Sequence, residues 1–402
     1  MTGMTISSTS PKTMVVSLFE REHNEHFDST MKVAVIGGGM AGLSVAKHLR
    51  KLDKNLEIIL IEPKQYFEVP WCAVRSLFDP EMARKSTFSI KKWAIAKSIH
   101  HIRDRVASLT DTEIQLSNGQ YIEFNLCVIC TGATTKFAAL GRGPPNPRGK
   151  VKGRINNRLT QLEYNGKKLL NAKTIAIIGG GLIGVELAGD LAFFANKQYK
   201  RLEILLIHNQ ERLVPEFTPS ASAMAKEKLE EAGVQIIFNE KAVAQSDGSI
   251  RLAASGEYLN ADEIIWTTGL SPVNTFMDRK YLDRQGWIKV DEFFRVKGAE
   301  RLFAVGDCCD LLPNTGFQAM NAKTVLCKNI LLTIEAMKSG DYHTLERNLN
   351  RAVVSTELYV ATIGRTDGVA LTPLCTTQFL LPWIKNSTMF LGKVKSTLGL
   401  TE

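Results

Sequence analysis

Short apolar runs recur along this chain, and three of them are followed by longer stretches of helical periodicity. The runs at residues 33–36, 58–61, 126–129, 175–178, 264–266 and 302–305 are wholly apolar, and 202–207 is interrupted only by Glu203. Strands covered on both faces read this way, and such strands belong to parallel sheets flanked by helices. Residues 43–52, 182–194 and 318–337 carry the helical pattern between or after them. Strand-helix alternation of this kind predicts an α/β fold.

The first and fourth runs each end in glycines at a fixed spacing. Gly37-Gly38-Gly39-Met40-Ala41-Gly42 follows the first, and Gly179-Gly180-Gly181-Leu182-Ile183-Gly184 follows the fourth. A strand that turns through GxGxxG into a helix clears side chains from the turn. A pyrophosphate can then approach the first helical N–H groups and the positive end of the dipole. Two such turns predict two dinucleotide sites, hence a flavin and a nicotinamide cofactor. Glu62 closes the strand after the first fingerprint, twenty residues past Gly42, where a carboxylate is expected to hold ribose hydroxyls. The matching strand of the second copy ends instead in His208-Asn209, with Arg212 near. Without a carboxylate a 2′-phosphate meets no repulsion, so His208 and Arg212 favour NADPH over NADH.

The fold class is therefore two Rossmann-like dinucleotide-binding units plus a small C-terminal region. The units repeat: Gly119 and Gly132 recur as Gly256 and Gly269, each 137 residues on. In both copies a hairpin turn leads to an apolar strand ending in Thr-Gly, which groups Gly132 with the cofactor-binding residues. The expected layout is a flexible extension at 1–30, an FAD unit at 31–140 and 265–350, a nicotinamide unit at 141–264, and a C-terminal region at 351–402.

Composition narrows the class further. At 402 residues, 44% hydrophobic and 23% charged, the chain is ordinary for a globular protein. Seven cysteines, an odd number set mostly in apolar runs, fit a reducing compartment, cytoplasmic or organellar. No run is long enough to span a membrane. Thr2 after the initiator lacks the glycine that N-myristoylation needs. The net charge of +9 is concentrated between Lys136 and Lys168, which reads as a solvated basic linker and helix. Attraction to NADPH phosphates or to an anionic membrane is its functional alternative. No nucleic-acid module accompanies the patch, and no metal-ligand spacing is present.

The run at 302–305 closes on Gly306-Asp307, leaving a carboxylate at a strand end before the helix at 318–337. With Tyr66-Phe67-Glu68-Val69-Pro70-Trp71, Arg75, Val185-Glu186-Leu187-Ala188-Gly189-Asp190, Gly306-Asp307-Cys308-Cys309-Asp310 and Gly364-Arg365-Thr366-Asp367-Gly368-Val369, the chain resembles the apoptosis-inducing-factor-like flavoproteins of the ferroptosis suppressor type. The resemblance runs from about Met31 to the C-terminus. It implies an FAD enzyme that oxidises NAD(P)H and reduces a quinone of the ubiquinone or vitamin K class. By resemblance Gly37, Gly39, Gly42, Glu62, Arg75, Val106 and Asp307 hold FAD, with Gly38 and Gly306 beside them. Gly179, Gly181 and Gly184 hold the nicotinamide cofactor, and Glu186 faces the nicotinamide near the flavin. The alternatives are a redox-sensing flavoprotein acting through partner binding and a reductase of a small electron-transfer protein.

Met40 to Lys54 contains no cysteine, which argues against disulfide-reductase chemistry. Cys127 and Cys130 have CxxC spacing but lie in a predicted strand, where alternation turns them to opposite faces. Cys308-Cys309 adjoin the flavin aspartate. From Phe379 to Leu391 the tail is apolar and aromatic, and its only charges before Glu402 are Lys385, Lys393 and Lys395. That composition suits a peripheral membrane contact where a quinone is met, or a segment docked on the core.

Overall fold

A computed structural model describes residues 30–137, 154–354, 359–371, 376–377 and 380–400. The extension at 1–29 and most of the Lys136–Lys168 linker fall outside them. The first unit runs β1 (Lys32–Ile36), α1 (Met40–Leu52), β2 (Glu57–Ile61), β3 (His100–Ile102) and β4 (Leu126–Ile129). The second runs α2 (Ile155–Leu170), β5 (Thr174–Ile178), α3 (Leu182–Lys197), β6 (Glu203–Ile207), β7 (Val234–Ile237) and β8 (Glu263–Trp266). The chain then returns to the first unit through β9 (Leu302–Ala304) and α4 (Gly316–Ser339). It ends in the hairpin of β10 (Tyr359–Ile363) and β11 (Asp367–Leu371), then α5 (Leu380–Thr388) and α6 (Leu391–Leu398).

Both main sheets are parallel. The first has the order β9-β4-β1-β2-β3 and the second β7-β6-β5-β8. β1 and β5 stand in the middle of their sheets, so every residue from Val33 to Ile36 and from Ile175 to Ile178 is buried. Continuous apolar runs are what a strand covered on both faces requires. Cys127 and Cys130 are both buried and join different core clusters, as strand alternation predicts.

The repeat is visible in the backbone. Gly119 and Gly256 have φ +88° and +78°, and Gly132 and Gly269 have +68° and +72°. The segments after the last two glycines pair antiparallel, and Thr134 stands opposite Ser271, its own counterpart 137 residues on. The two copies therefore meet around a local two-fold.

The C-terminal region is fastened to both copies. Gly189 on α3 lets the β10–β11 turn come close, since a Cβ there would stand 2.7 Å from the Gly364 nitrogen. Met389, Leu391, Val394 and Leu398 are buried in the core of the first unit. The Trp71 indole donates to the Met389 carbonyl at 2.7 Å and the Trp93 indole to the Leu398 carbonyl at 2.8 Å. Of the two readings of the tail, these residues follow the docked one, while Trp383 remains 64% exposed.

Candidate functional site

The two glycine turns are built alike. A Cβ on Gly42 would lie 1.9 Å from the Gly37 carbonyl oxygen, and one on Gly184 would lie 1.9 Å from that of Gly179. Nothing lies within 4 Å of a Cβ position on Gly39 or Gly181, so each turn is open on the side of the helix start. α1 and α3 begin at these two glycines with no side-chain cap. Helices starting at Pro80, Ile90, Pro219, Gly316 and Tyr342 are instead capped by Asp79, Ser89, Thr218, Thr315 and Asp341. Uncapped N–H groups beside an open backbone are what a pyrophosphate would meet, so the residues fit the two dinucleotides.

The residue that follows each turn differs. The Gly38 N–H donates to Glu62 Oε2 at 2.7 Å, and Glu62 Oε1 accepts from the Lys64 N–H at 2.9 Å. In the second copy the Gly180 N–H donates to His208 Nδ1 at 3.1 Å. His208 thus takes the place of the carboxylate. With Nδ1 accepting, the neutral ring carries its proton on Nε2. That atom is buried and makes no hydrogen bond of normal geometry among the described residues. Burial pushes the imidazole pKa down, and a backbone contact with Arg212 opposes the shift. The Arg212 guanidinium closes its own loop, donating to the Pro215 and Phe217 carbonyls at 2.9 and 3.2 Å.

Gly306, at φ +84°, sits 3.2 Å from the Ala41 side chain when a Cβ is added. This brings Gly306-Asp307 to the start of α1, beside the first turn. Val106 lies further out, half-buried on an antiparallel meander with a register shift next to it. Cys308 Sγ donates to the Ile129 and Val305 carbonyls, and Cys309 Sγ to that of Gly306, so both thiols are packed and hydrogen-bonded.

Arg75 and Glu186 depart from their expected surroundings. Arg75 is 1% exposed, and its guanidinium meets Asp190 through two bonds of 3.1 and 2.9 Å. It also donates to the Gly364 carbonyl, Asn386 Oδ1 and the Asn386 carbonyl. With Nε, Nη1 and Nη2 all engaged by protein acceptors, Arg75 ties the first unit to α3 and the tail rather than facing a cleft. Burial pushes Asp190 up to about 6 against the pull of Arg75, which leaves it ionised at neutral pH. Glu186 is buried too. Its Oε1 accepts from Lys385 Nζ at 2.5 Å and from the Thr362 N–H and hydroxyl at 3.2 and 3.3 Å. Lys385 also donates to the Val360 carbonyl at 2.7 Å. Sequence reasoning placed Lys385 in a tail read as a membrane contact or a docked segment; the fold buries it to 6% exposure against Glu186. Its one legible signal was isolation, a single cation in an apolar stretch. Arg158, read as part of a solvated patch, is likewise buried and pairs with Glu68 at 2.9 and 3.1 Å.

Comparison with known proteins agrees with this geometry. Apoptosis-inducing factor 1 of Saccharomyces cerevisiae is 28% identical over 76% of this chain and 82% of its own length. Ferroptosis suppressor protein 1 of Homo sapiens is 24% identical over 84% and 88%. Among solved structures, the sulfide:quinone oxidoreductase of Aquifex aeolicus superposes with a TM-score of 0.72 at 17% identity, covering 91% of this chain and 92% of that one. NDH2 of Plasmodium falciparum in complex with NADH gives 0.68 at 16%, covering 92% and 97%. Residues 31–340 match the pyridine nucleotide-disulphide oxidoreductases, and the chain belongs to that family of Rossmann-type, FAD- and NAD(P)H-dependent oxidoreductases.

Proposed function

We propose that this protein passes a hydride from NADPH to FAD and then two electrons to a quinone. The observation that carries the reading is the pair of open, uncapped glycine turns with different partners, Glu62 at one and His208 at the other. The first turn takes FAD, with Glu62 on the adenosine ribose and Asp307 on the flavin's polyol. The second takes the nicotinamide nucleotide, with His208 Nε2–H as a donor toward the 2′-phosphate. When bound, FAD supplies the chemistry, accepting a hydride and releasing two electrons singly or together.

What the chain's own residues do is bind, orient and exclude water. Arg75, Asp190 and Asn386 lock the first unit, α3 and the tail into one arrangement, which fixes how the two turns face each other. Glu186 and Lys385 form a buried pair on the seam between α3, β10 and α5. Quinone as the acceptor is supported by the resemblance of the motifs and by the names of the relatives and fold neighbours.

Anaerobic stopped-flow mixing of the flavin-loaded protein with NADPH or NADH, followed by a soluble ubiquinone analogue, tests the reading. Rapid bleaching by NADPH and rapid recovery with quinone is the expected course. Bleaching without recovery would remove the quinone, and an absence of bound flavin would remove the whole assignment.

A further inference from the structure

A second concentration of charge lies away from both glycine turns. Lys47 and Lys51 on α1, Lys97 after the helix Ile90–Ala96, Lys323 and Lys328 on α4, and Lys393 on α6 are far apart in sequence. The fold gathers them at one face. Lys47 Nζ donates to the Ser396 and Thr397 carbonyls at 3.1 and 2.8 Å, which brings α1 to the last turn of α6. The Arg50 guanidinium donates to the Ser98 carbonyl at 3.0 Å, joining α1 to the turn that carries Lys97. The ammonium nitrogens of Lys47 and Lys97 each stand 3.1 Å from where a Cβ on Gly399 would lie. Lys323 donates to the Met320 carbonyl on its own helix and neighbours both Lys47 and Lys393.

Among the described residues no carboxylate answers these charges. Among the described residues none of the six lysines makes an ion pair. Burial and then the neighbouring ammoniums push Lys47 below the usual lysine range, and burial and the same lysines push His48 down. Cations held together without a counter-ion are a standing electrostatic cost, which an external anion relieves. Two apolar side chains close in sequence to these lysines are open to solvent: Leu52, beside Lys51, is 43% exposed and Ile95, two residues before Lys97, is 70% exposed.

We infer that this face, where the ends of α1, α4 and α6 meet the helix Ile90–Ala96, seats the protein on an anionic lipid surface. The charges reach the headgroups within a Debye length, and Leu52 and Ile95 enter the interfacial layer. A phosphate or nucleotide alone would explain the lysines but not the two exposed apolar side chains. The benefit to turnover rests on the quinone reading, since a lipid-soluble quinone is met at a bilayer; the binding does not.

Co-sedimentation of the full chain with vesicles of phosphatidylcholine, with and without phosphatidylserine, tests this. Binding should need the anionic lipid and weaken with added salt. Charge reversal at exposed Lys51 and Lys393 and half-buried Lys97, K51E with K97E and K393E, should lower affinity about a hundredfold, roughly fivefold per basic residue. The triple R201E with K241E and R251E, an equal charge change on the second unit, should cost under about threefold, because screened charges off the contact face contribute little. Ile95→Ser should weaken binding without altering its salt dependence. Equal loss in both triples, equal binding to neutral vesicles, or no vesicle binding overturns the inference; capture by inorganic phosphate or an acidic protein instead falls under the last outcome. Turnover with a soluble quinone analogue should be unchanged in both triples. Failure of that turnover in the wild type would sink the quinone reading while leaving the vesicle result intact.

Discussion

The two dinucleotide units share a turn, a sheet and a helix, yet they differ in what is left over once the turn is satisfied. Glu62 meets the Gly38 N–H with one oxygen and keeps a second oxygen as an acceptor. His208 meets the Gly180 N–H with Nδ1 and carries its proton on Nε2, buried beside the Arg212 backbone. An acceptor suits a ribose hydroxyl, and a donor suits a phosphate. The helices differ as well. Counted from each fingerprint, α3 carries Glu186 and Asp190 where α1 carries Ser44 and His48. The two carboxylates are the points at which Lys385 and Arg75 attach the tail and the first unit to the second. The second copy thus supplies the carboxylates to which both the first unit and the tail attach.

The sharpest way to separate the copies is to fill each turn. Gly42→Ala puts a Cβ against the Gly37 carbonyl, a clash that only backbone movement relieves, and should leave the protein without FAD. Gly184→Ala should keep the flavin but lose reduction by NADPH at least about a hundredfold, on the scale of a misplaced reactant. The 450 nm absorbance of the purified variants reads the first, stopped-flow bleaching the second. A fully flavinated Gly42→Ala protein would break the assignment of FAD to the first copy.

Breaking the attachment of the tail to Glu186 comes next. Lys385→Met leaves Glu186 as an uncompensated buried charge and should destabilise the protein by about 3–5 kcal/mol. Chemical denaturation measures this, and the double change with Glu186→Gln should restore part of the loss. An unchanged midpoint would mean the pair is not closed in solution.

His208→Glu converts the second copy to the logic of the first. Preference for NADPH over NADH should fall about a hundredfold, the value of a hydrogen bond to a charged group replaced by repulsion. The ratio of kcat/KM values reads it, as does binding of 2′,5′-ADP against 5′-AMP. If the ratio does not move, the imidazole does not face the 2′ position.

The smallest effect belongs to the tail. Trp93→Phe removes only the bond to the Leu398 carbonyl and should cost about 1 kcal/mol. A loss of several kcal/mol would show that α6 carries more of the first unit's stability than one hydrogen bond.

Much of the fold was legible because its signals are local. β1, β2, β4, β5 and β6 appear as apolar runs, and α1 and α3 as the periodic segments after glycine turns, each within a few residues of its predicted limits. The repeat could be read because a turn glycine at positive φ, such as Gly132 or Gly269, marks its place in both copies. Arg158 was misplaced, and the burial of Arg75 and Lys385 was not foreseen, because burial is not written in a residue's own neighbourhood. Arg158 sits among polar residues and Lys385 in an apolar stretch, and the partner of each of these cations arrives from at least 90 positions away.

The α/β class, the two nucleotide turns and the lack of a carboxylate at His208 were all readable along the chain, because each depends on contacts between residues close in it. Which charges are buried and which are gathered came only from the folded arrangement. Pairing Glu186 with Lys385, enclosing Arg75, and bringing lysines from four helical segments to one face all require segments distant in sequence to meet. Those meetings are set by how two sheets and a tail pack, a property of volume and shape that no local pattern encodes.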